Sequence, residues 1–377
     1  MREPGPVLSG AISAGGIPGA VAAMGRGTAT LGTWATGLAD TTPGARRPMT
    51  AGTVFDLASL TKVVSTTTMV LALAASGSLS LDALVARCLP AAPWDVTVRQ
   101  LLAHASGLPG SVKFYKSCSS RAALLDALFA TPLEAVPGTR VAYSDLGFMT
   151  LGEIIAAVTG KPLDEAFREL VSEPLGLADT GFLPGGPPSR FAATEFGPDG
   201  TALTGAVHDE NARVMGGVAG HAGLFGTAAD LARFAAWWVS PSASGPVPAA
   251  LRREAERCQT QGLPGDGGLP GRRGLGWVLP GDRFDILGGS RGPGGSGGSR
   301  GPGGSGGLGG SGGAWPPSAV SHTGFTGTSL ALDPASGAWV VLLTNSVHVT
   351  RDPSAIRSLR RTLHTAAAQT LFPSPAP

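Results

Sequence analysis

Charged residues are scarce in this chain, and their scarcity narrows the classes of function. Only 14% of the 377 residues are charged, and the formal net charge is +2. No run of basic residues alternates with aromatic ones, so the sequence offers no evident surface for nucleic acid or for an acidic membrane. Apolar residues make up 42% of the chain, which is enough for a large core. We therefore expect a globular protein whose partners include neither nucleic acid nor a membrane.

Cysteine is also sparse. Three cysteines, Cys88, Cys118 and Cys258, are scattered along the chain, a pattern that fits neither a disulfide framework nor a metal-binding knuckle. The N-terminus has an acid and a proline where a signal peptide has a basic start and an apolar core. We expect a cytoplasmic protein without cofactor or metal, unless a misassigned start codon hides an export signal. The composition leaves the oligomeric state open.

Lysine is scarce too, and one of the four lysines has an unusual setting. Lys62 follows Ser59 by three residues and precedes an apolar run at 63–75 that ends at Gly77, which predicts a buried helix. Ser59 and Lys62 would then lie one turn apart on one helix face. A serine hydroxyl beside a lysine amine is the nucleophile-and-base pair of an acyl-transfer enzyme. The alternative is a helix cap followed by a lysine whose stem packs along the helix.

Strands are predicted near both ends of the chain, with helices between them. Sequence patterns indicate strands at 21–24, 28–34, 275–279, 329–332 and 339–343, and helices at 7–16, 98–104, 121–130, 146–158, 163–171, 230–239 and 352–368. This order predicts an α/β fold (an α+β sandwich) in which an antiparallel sheet is built from both termini and flanked by helices. Residues 1–80 and 262–377 would form this sheet domain, and residues 81–261 an inserted all-helical domain.

One segment has the composition of a linker. Residues 290–298 and 299–307 repeat the same nine amino acids, rich in glycine and serine. Such a segment lacks the apolar side chains needed for packing. We expect residues 288–313 to form a disordered surface loop.

Two further short motifs can complete a serine–lysine site. Tyr143-Ser144-Asp145 precedes the helix predicted at 146–158, and Tyr143 is one of only two tyrosines. Taken alone, a capping Asp145 and a packed Tyr143 are the simpler interpretation. His322-Thr323-Gly324 leads into the strand predicted at 329–332, and its small residues let a substrate approach the backbone closely.

Together the three motifs resemble those of the β-lactamase-related serine hydrolases, a superfamily that includes class C β-lactamases, D-alanyl-D-alanine carboxypeptidases and lactamase-like carboxylesterases. Their motifs are Ser-x-x-Lys, Tyr-x-Asn and Lys/His-Thr-Gly, and they occur here in the same order. The stretches 98–108, 174–177 and 223–227 look like the family too. The resemblance covers about residues 15 to 370, apart from the linker, and it implies an active site in the cleft between sheet and helical domain.

The resemblance also implies a role for each motif residue. Ser59 would be the nucleophile, with Lys62 and Tyr143 sharing the general base and acid work. The backbone N–H groups of Ser59 and Phe325 would form the oxyanion hole. The substrate would be bound by the remaining motif residues, Asp145, His322, Thr323 and Gly324.

Two departures from the family pattern affect the expected chemistry. Asp145 replaces the usual asparagine, and if it pairs with Lys62 it raises the lysine pKa. Lys62 would then be a poor base, and Tyr143 a better one. His322 replaces the usual lysine, and a neutral imidazole binds a substrate carboxylate only weakly. Both departures from the family pattern favour an esterase or a peptidase of D-amino-acid peptides over an efficient β-lactamase.

Several assignments stay open at the level of sequence. His104, at a helix end, would cap carbonyl groups, whereas His208, Asp209 and His221 would border the cleft or form structural hydrogen bonds. Their spacing matches no standard metal motif. The leading hypothesis is a serine hydrolase that cleaves a small-molecule ester, amide or peptide through an acyl-enzyme on Ser59. The alternatives are a true β-lactamase and a non-catalytic binding or scaffolding protein on the same fold.

Overall fold

The computed structural model describes residues 4–197, 200–287 and 315–373. The predicted linker at 288–313 lies outside these ranges. The strands are β1 (Gly19–Arg26), β2 (Ala29–Asp40), β3 (Arg47–Pro48), β4 (Phe55–Asp56), β5 (Gly181–Phe182), β6 (Ala193–Phe196), β7 (Ala202–Thr204), β8 (Leu224–Gly226), β9 (Val320–Thr323), β10 (Ser329–Asp333) and β11 (Ala338–Thr344). The α-helices are α1 (Pro4–Ser13), α2 (Thr68–Ala75), α3 (Val85–Cys88), α4 (Val98–Leu102), α5 (Arg121–Phe129), α6 (Asp145–Thr159), α7 (Leu163–Phe167), α8 (Glu173–Leu175), α9 (Glu210–Val214), α10 (Ala228–Val239), α11 (Ala249–Glu256) and α12 (Ser354–Leu371).

The main sheet joins the two ends of the chain. Its six strands lie in the order β3-β2-β1-β11-β10-β9, and every neighbouring pair is antiparallel. β1 is buried except at its last residue, and it pairs with β2 on one side and β11 on the other. The prediction of an antiparallel sheet built from both termini and flanked by helices is confirmed.

The two faces of the sheet bury different sets of side chains, as the period of two along a strand requires. Ala20, Ala22 and Met24 of β1 point into a smaller core with α1 and α12. Val21 and Ala23 point to the opposite face, into the larger core that also contains α2, α6 and α10. The motifs around Ser59, Tyr143 and His322 lie on the side of this larger core.

Two predictions need correction. Residues 81–261 are not all-helical, because β5, β6, β7 and β8 lie within them. β8 pairs with both β4 and β5, so it attaches this region directly to the strand that precedes Ser59. Residues 275–279 do not form a strand, since only Val278 makes isolated bridges, to Arg273 and to Ser321. The division into domains at 1–80 with 262–377 and at 81–261 remains a prediction.

The helical stretch Ala58–Ala75 crosses the larger core. It begins as a 3₁₀ turn at Ala58–Leu60, continues as a π-helix at Lys62–Thr67 and ends as α2. By length and composition it could cross a membrane, but 83% of it is buried inside the protein. It is therefore the central core helix of this fold. π-helical turns are uncommon and occur frequently at functional sites.

A close backbone contact holds the loop before β8 against this core. The hydroxyl of Thr66 donates to the carbonyl of Gly220 at 2.6 Å. A Cβ atom on Gly220 would lie 2.1 Å from the carbonyl oxygen of Phe148, and one on Gly152 would lie 2.9 Å from the nitrogen of Gly220. Only glycine permits this approach, and it fixes the position of the next residue, His221.

We expect Gly220→Ala to destabilise the fold by about 2–3 kcal/mol, because the new methyl group overlaps backbone atoms that cannot move aside. Gly185→Ala is the matched control, since a Cβ there meets nothing within 4 Å. Urea unfolding followed by tryptophan fluorescence measures both. Equal stability of the two variants would contradict the proposed steric role of Gly220.

Candidate active site

Ser59 lies on a tight turn between β4 and the core helix. The preceding residue, Ala58, has a φ of 47°, a left-handed conformation that costs a non-glycine residue of order 1–3 kcal/mol. The Asp56 carboxylate holds this turn by accepting the N–H of Ala58 at 2.8 Å and the N–H of His208 at 2.7 Å. The turn leaves Ser59 half-buried, while the next helical turn is buried completely.

Lys62 lies in this buried turn, and its ammonium group has three hydrogen-bond acceptors. Nζ lies 3.1 Å from Ser59 Oγ, 2.9 Å from the His221 carbonyl oxygen and 2.7 Å from Asp145 Oδ1. The side chain is 0% exposed. Burial disfavours its charge, but the Asp145 carboxylate and the Tyr143 hydroxyl outweigh burial, so the pKa of Lys62 lies above its ordinary value. Lys62 is thus a cation with all three hydrogens engaged.

Tyr143 is positioned beside this cation by a histidine. The backbone N–H of Ser144 donates to His104 Nδ1 at 3.0 Å, and the His104 ring lies 4.6 Å from the ring of Tyr143. Lys62 Nζ is 5.1 Å from the Tyr143 ring centroid, and Arg273 Cζ is 5.6 Å from it. The tyrosine ring therefore stands between two cationic side chains.

The His322-Thr323-Gly324 motif ends strand β9 beside the serine turn. His322 is 1% exposed, and its ring lies 6.1 Å from that of Tyr143. Its Nδ1–H donates to the carbonyl of Thr323 at 3.0 Å, and its Nε2 has no partner among the described residues. Burial and the charges of Lys62 and Arg273 lower the pKa of His322 well below its usual range. His322 is thus a neutral histidine.

Gly324 and Phe325 lie directly against the turn that carries the serine. A Cβ atom on Gly324 would be 2.6 Å from the carbonyl oxygen of Leu57, so only glycine fits there. The Phe325 ring is 56% exposed. Among the described residues, neither the N–H of Ser59 nor that of Phe325 donates to an acceptor, so both amides are free to bind a substrate oxygen.

The three residues left open by sequence have distinct contacts. His221 provides the carbonyl that binds Lys62, and its Nε2 lies 2.9 Å from Asp209 Oδ1. His208 Nε2 lies 3.2 Å from Glu195 Oε2, and the His208 ring stacks on Phe325 with 5.5 Å between ring centroids. Within the described ranges, no group of three or more His, Cys, Asp or Glu side chains could hold a metal ion.

Sequence reasoning missed several residues around the site. His104 does not cap helix carbonyls as expected, because its ring accepts the N–H of Ser144. Arg273 forms two hydrogen bonds with Asp282, at 3.1 and 2.9 Å, beneath Tyr143. Phe284, 36% exposed, borders Tyr143 at 5.4 Å between ring centroids. Only His104 had a local signal, its place in the family-like stretch 98–108.

A serine–lysine pair beside a tyrosine, set against the last strand of an antiparallel sheet, defines the class of active-serine hydrolases related to penicillin-binding proteins. The sequence model of the Beta-lactamase family matches residues 7–364. The chain is therefore a member of the Beta-lactamase family of serine hydrolases.

The comparisons with individual proteins agree with this assignment. A protein of Escherichia coli K12 named "Putative D-alanyl-D-alanine carboxypeptidase" is 31% identical over 79% of this chain and 70% of its own length. Two solved structures have a similar fold. Simvastatin synthase from Aspergillus terreus has a TM-score of 0.72 at 18% identity, covering 98% and 99% of the two chains. A class C β-lactamase from Rhodobacter sphaeroides has a TM-score of 0.69 at 21% identity, covering 96% and 97%.

The neutral histidines predict how stability depends on pH. The pKa of His322 is well below its usual value and that of His364 is lowered to about 3, so below pH 6.5 the unfolded chain binds protons that the folded chain does not. The contribution of each neutral histidine to the free energy of unfolding is therefore present in full above pH 6.5. It falls as the pH decreases, by up to about 2 kcal/mol per histidine between pH 6.5 and 5.

We expect His322→Gln to reduce this loss, because glutamine takes up no proton in either state. His364→Gln should do the same independently. Urea unfolding at pH 7.5 and pH 5 measures the difference for each variant. An equally steep loss in wild type and both variants would show that these histidines are not responsible.

Proposed function

We propose that this protein is a carboxylesterase-like serine hydrolase that forms an acyl-enzyme on Ser59. The observation that carries the proposal is the 3.1 Å contact between Ser59 Oγ and a buried, ion-paired Lys62 beside Tyr143. A serine hydroxyl is a weak nucleophile unless a base takes its proton. Lys62 is held in its charged form by Asp145, and a protonated amine has no lone pair to accept that proton.

Tyr143 is therefore the base in the proposed mechanism. With the cations Lys62 and Arg273 beside its ring, it accepts the Ser59 proton while Oγ bonds to the ester carbonyl carbon. The carbonyl oxygen becomes an oxyanion and accepts from the N–H groups of Ser59 and Phe325, each worth about 3–4 kcal/mol. Tyr143 then gives the proton to the departing alkoxide as the carbon–oxygen bond breaks. Water, deprotonated by Tyr143, then bonds to the acyl carbon. As the carbon–Oγ bond breaks, Tyr143 returns the proton to Oγ, which releases the acid and regenerates Ser59.

The charges around the site favour a substrate without a free carboxylate. Lys62 is paired with Asp145 and Arg273 with Asp282, and His322 is neutral. Arg351, whose Cζ lies 5.9 Å from the Phe325 ring centroid, pairs with Glu195 and Glu210. Lys62, Arg273 and Arg351 are thus each neutralised by carboxylates, whereas exposed Phe325 and Phe284 offer apolar surface for an ester.

A D-amino-acid peptidase is the second candidate, and it rests on a different observation. The relative from Escherichia coli K12, 31% identical to this chain, is named for D-alanyl-D-alanine carboxypeptidase activity. Such a substrate ends in a carboxylate, which the residues above would bind only weakly. A true β-lactamase is supported by fold alone. A non-catalytic scaffold is disfavoured because Ser59, Lys62 and Tyr143 are all present and Lys62 lies beside both of the others.

The acyl-enzyme is tested by trapping. A fluorophosphonate should add one adduct mass to the peptide containing Ser59, and Ser59→Ala should abolish both labelling and ester turnover. Mass spectrometry of the digested protein locates the adduct. Labelling of another serine, or turnover by Ser59→Ala, would refute the assignment.

The base is tested by two tyrosine variants. Tyr143→Phe should lower kcat/KM by about 10²–10⁴-fold, the usual contribution of a general base, and by more than Lys62→Arg, which keeps the cation. Tyr115→Phe is the matched control, because Tyr115 is the only other tyrosine. If Tyr143→Phe retains activity while Lys62→Arg loses it, the base is Lys62.

Substrate class is tested with p-nitrophenyl esters of graded length, nitrocefin and a peptide ending in D-Ala-D-Ala. We expect the uncharged esters to have a kcat/KM at least tenfold above that of the peptide, since Lys62, Arg273 and Arg351 are already paired with carboxylates. Faster turnover of the peptide would instead assign a carboxypeptidase, and faster turnover of nitrocefin a β-lactamase.

A further inference from the structure

Arg360, on helix α12, donates to the backbone beside the proposed oxyanion hole. Its Nη2 lies 2.6 Å from the carbonyl oxygen of Gly324 and 2.8 Å from that of Thr328. The side chain is partly buried, and its Nε is buried without a partner. No carboxylate in the described part of the chain pairs with Arg360. Burying a positive charge costs free energy, and a carboxylate usually offsets that cost. It is therefore unusual that Arg360 donates only to two main-chain carbonyls.

Arg360 remains charged at neutral pH. Burial and the nearby charge of Arg357 lower its pKa to about 10, which is still about three units above pH 7. Its field also contributes to keeping His322 and His364 neutral. A full positive charge therefore lies on the carbonyl side of the peptide that joins Gly324 to Phe325.

The geometry of that peptide connects Arg360 to the oxyanion hole. The described residues contain no cis peptide bond, and in a planar trans peptide the C=O and the N–H point in opposite directions. Holding the Gly324 carbonyl on the Arg360 side therefore directs the Phe325 N–H to the other side. That N–H has no acceptor among the described residues.

The turn containing this peptide is docked on the residues before Ser59. The Thr328 hydroxyl donates to the Leu57 carbonyl at 3.0 Å, and the Thr326 hydroxyl donates to the Asp56 carbonyl at 2.8 Å. Within the turn, Gly324 N–H donates to the Thr328 carbonyl at 2.8 Å. Arg360 thus bridges the two carbonyls at the base of a turn that packs against the serine loop.

We propose that Arg360 is a positioning residue that holds the Gly324–Phe325 peptide with the Phe325 N–H directed at the substrate oxyanion. The inference rests on the proposed acyl-enzyme function. Arg360 acts through the peptide and does not touch substrate. Its charge also polarises the peptide, which makes the N–H a stronger donor as negative charge develops on the substrate oxygen.

The test compares an oxygen ester with its thiono analogue, in which sulfur replaces the carbonyl oxygen and accepts hydrogen bonds poorly. Arg360→Met should lower kcat/KM for the oxygen ester by about 10–100-fold, less than the 10²–10³ of a deleted donor, mainly through kcat. The kcat/KM for the thiono ester should fall much less, so the ratio of kcat/KM for the oxygen ester to that for the thiono ester decreases. Arg361→Met is the matched control, because Arg361 is the exposed neighbour on the same helix.

Two further variants keep the test decisive. Arg360→Lys should restore most of the wild-type ratio, because a single nitrogen of Arg360 makes both contacts and an ammonium can replace it. Arg360→Gln is uncharged and should not restore the ratio. If Arg360→Met does not fold, the comparison of Arg360→Lys with Arg360→Gln tests the inference instead.

The outcomes separate this inference from the proposed function. A wild-type protein that neither turns over esters nor is labelled at Ser59 refutes the function, and the inference falls with it. An active wild type whose ratio is unchanged in Arg360→Met and Arg360→Gln refutes the inference alone. Equal losses for both esters with a lowered melting temperature assign Arg360 a structural role, which also overturns it.

Discussion

The buried ammonium of Lys62 is the interaction on which this site depends. Its three acceptors come from three separate parts of the chain: Ser59 in the same helical stretch, Asp145 at the start of α6, and the His221 carbonyl in the loop before β8. Losing a partner would leave a buried charge uncompensated, which costs several kcal/mol. The charge therefore holds the serine turn, the tyrosine loop and the His221 loop in one arrangement. Gly220 allows the third of these to come close enough.

The same cation sets the protonation of its neighbours. Burial and the charges of Lys62 and Arg273 lower the pKa of both His104 and His322 well below the usual range. A neutral His104 can accept a hydrogen bond, and it uses this to hold the backbone next to Tyr143. The carboxylate of Asp145, where the family commonly has an amide, keeps Lys62 charged. In the proposed mechanism the proton from the serine therefore goes to Tyr143.

The features that could be predicted from the sequence are those that depend on the local spacing of residues. A three-residue separation on a helix brought Ser59 to Lys62, and alternation of apolar residues indicated the strands that pair across the two termini. The contacts it missed join distant segments, such as His104 to Ser144 and Arg273 to Tyr143. Strands β4, β5 and β8 have only two or three residues each, too few for a periodic pattern. The π-helical turn depends on packing in the core, and no local sequence motif predicts it.

The placement of positive charge distinguishes binding from catalysis in this cleft. A cation open to the cleft would attract a substrate carboxylate equally in the ground state and the transition state, and such uniform binding does not raise kcat. Here Lys62 and Arg273 lie next to Tyr143 and are neutralised by Asp145 and Asp282, while Arg360 lies behind a peptide group. In the proposed mechanism their fields act on the groups whose charge changes during reaction, the tyrosine and the substrate oxygen. Because these dipoles and charges are fixed before substrate arrives, they need no reorganisation as the oxyanion forms.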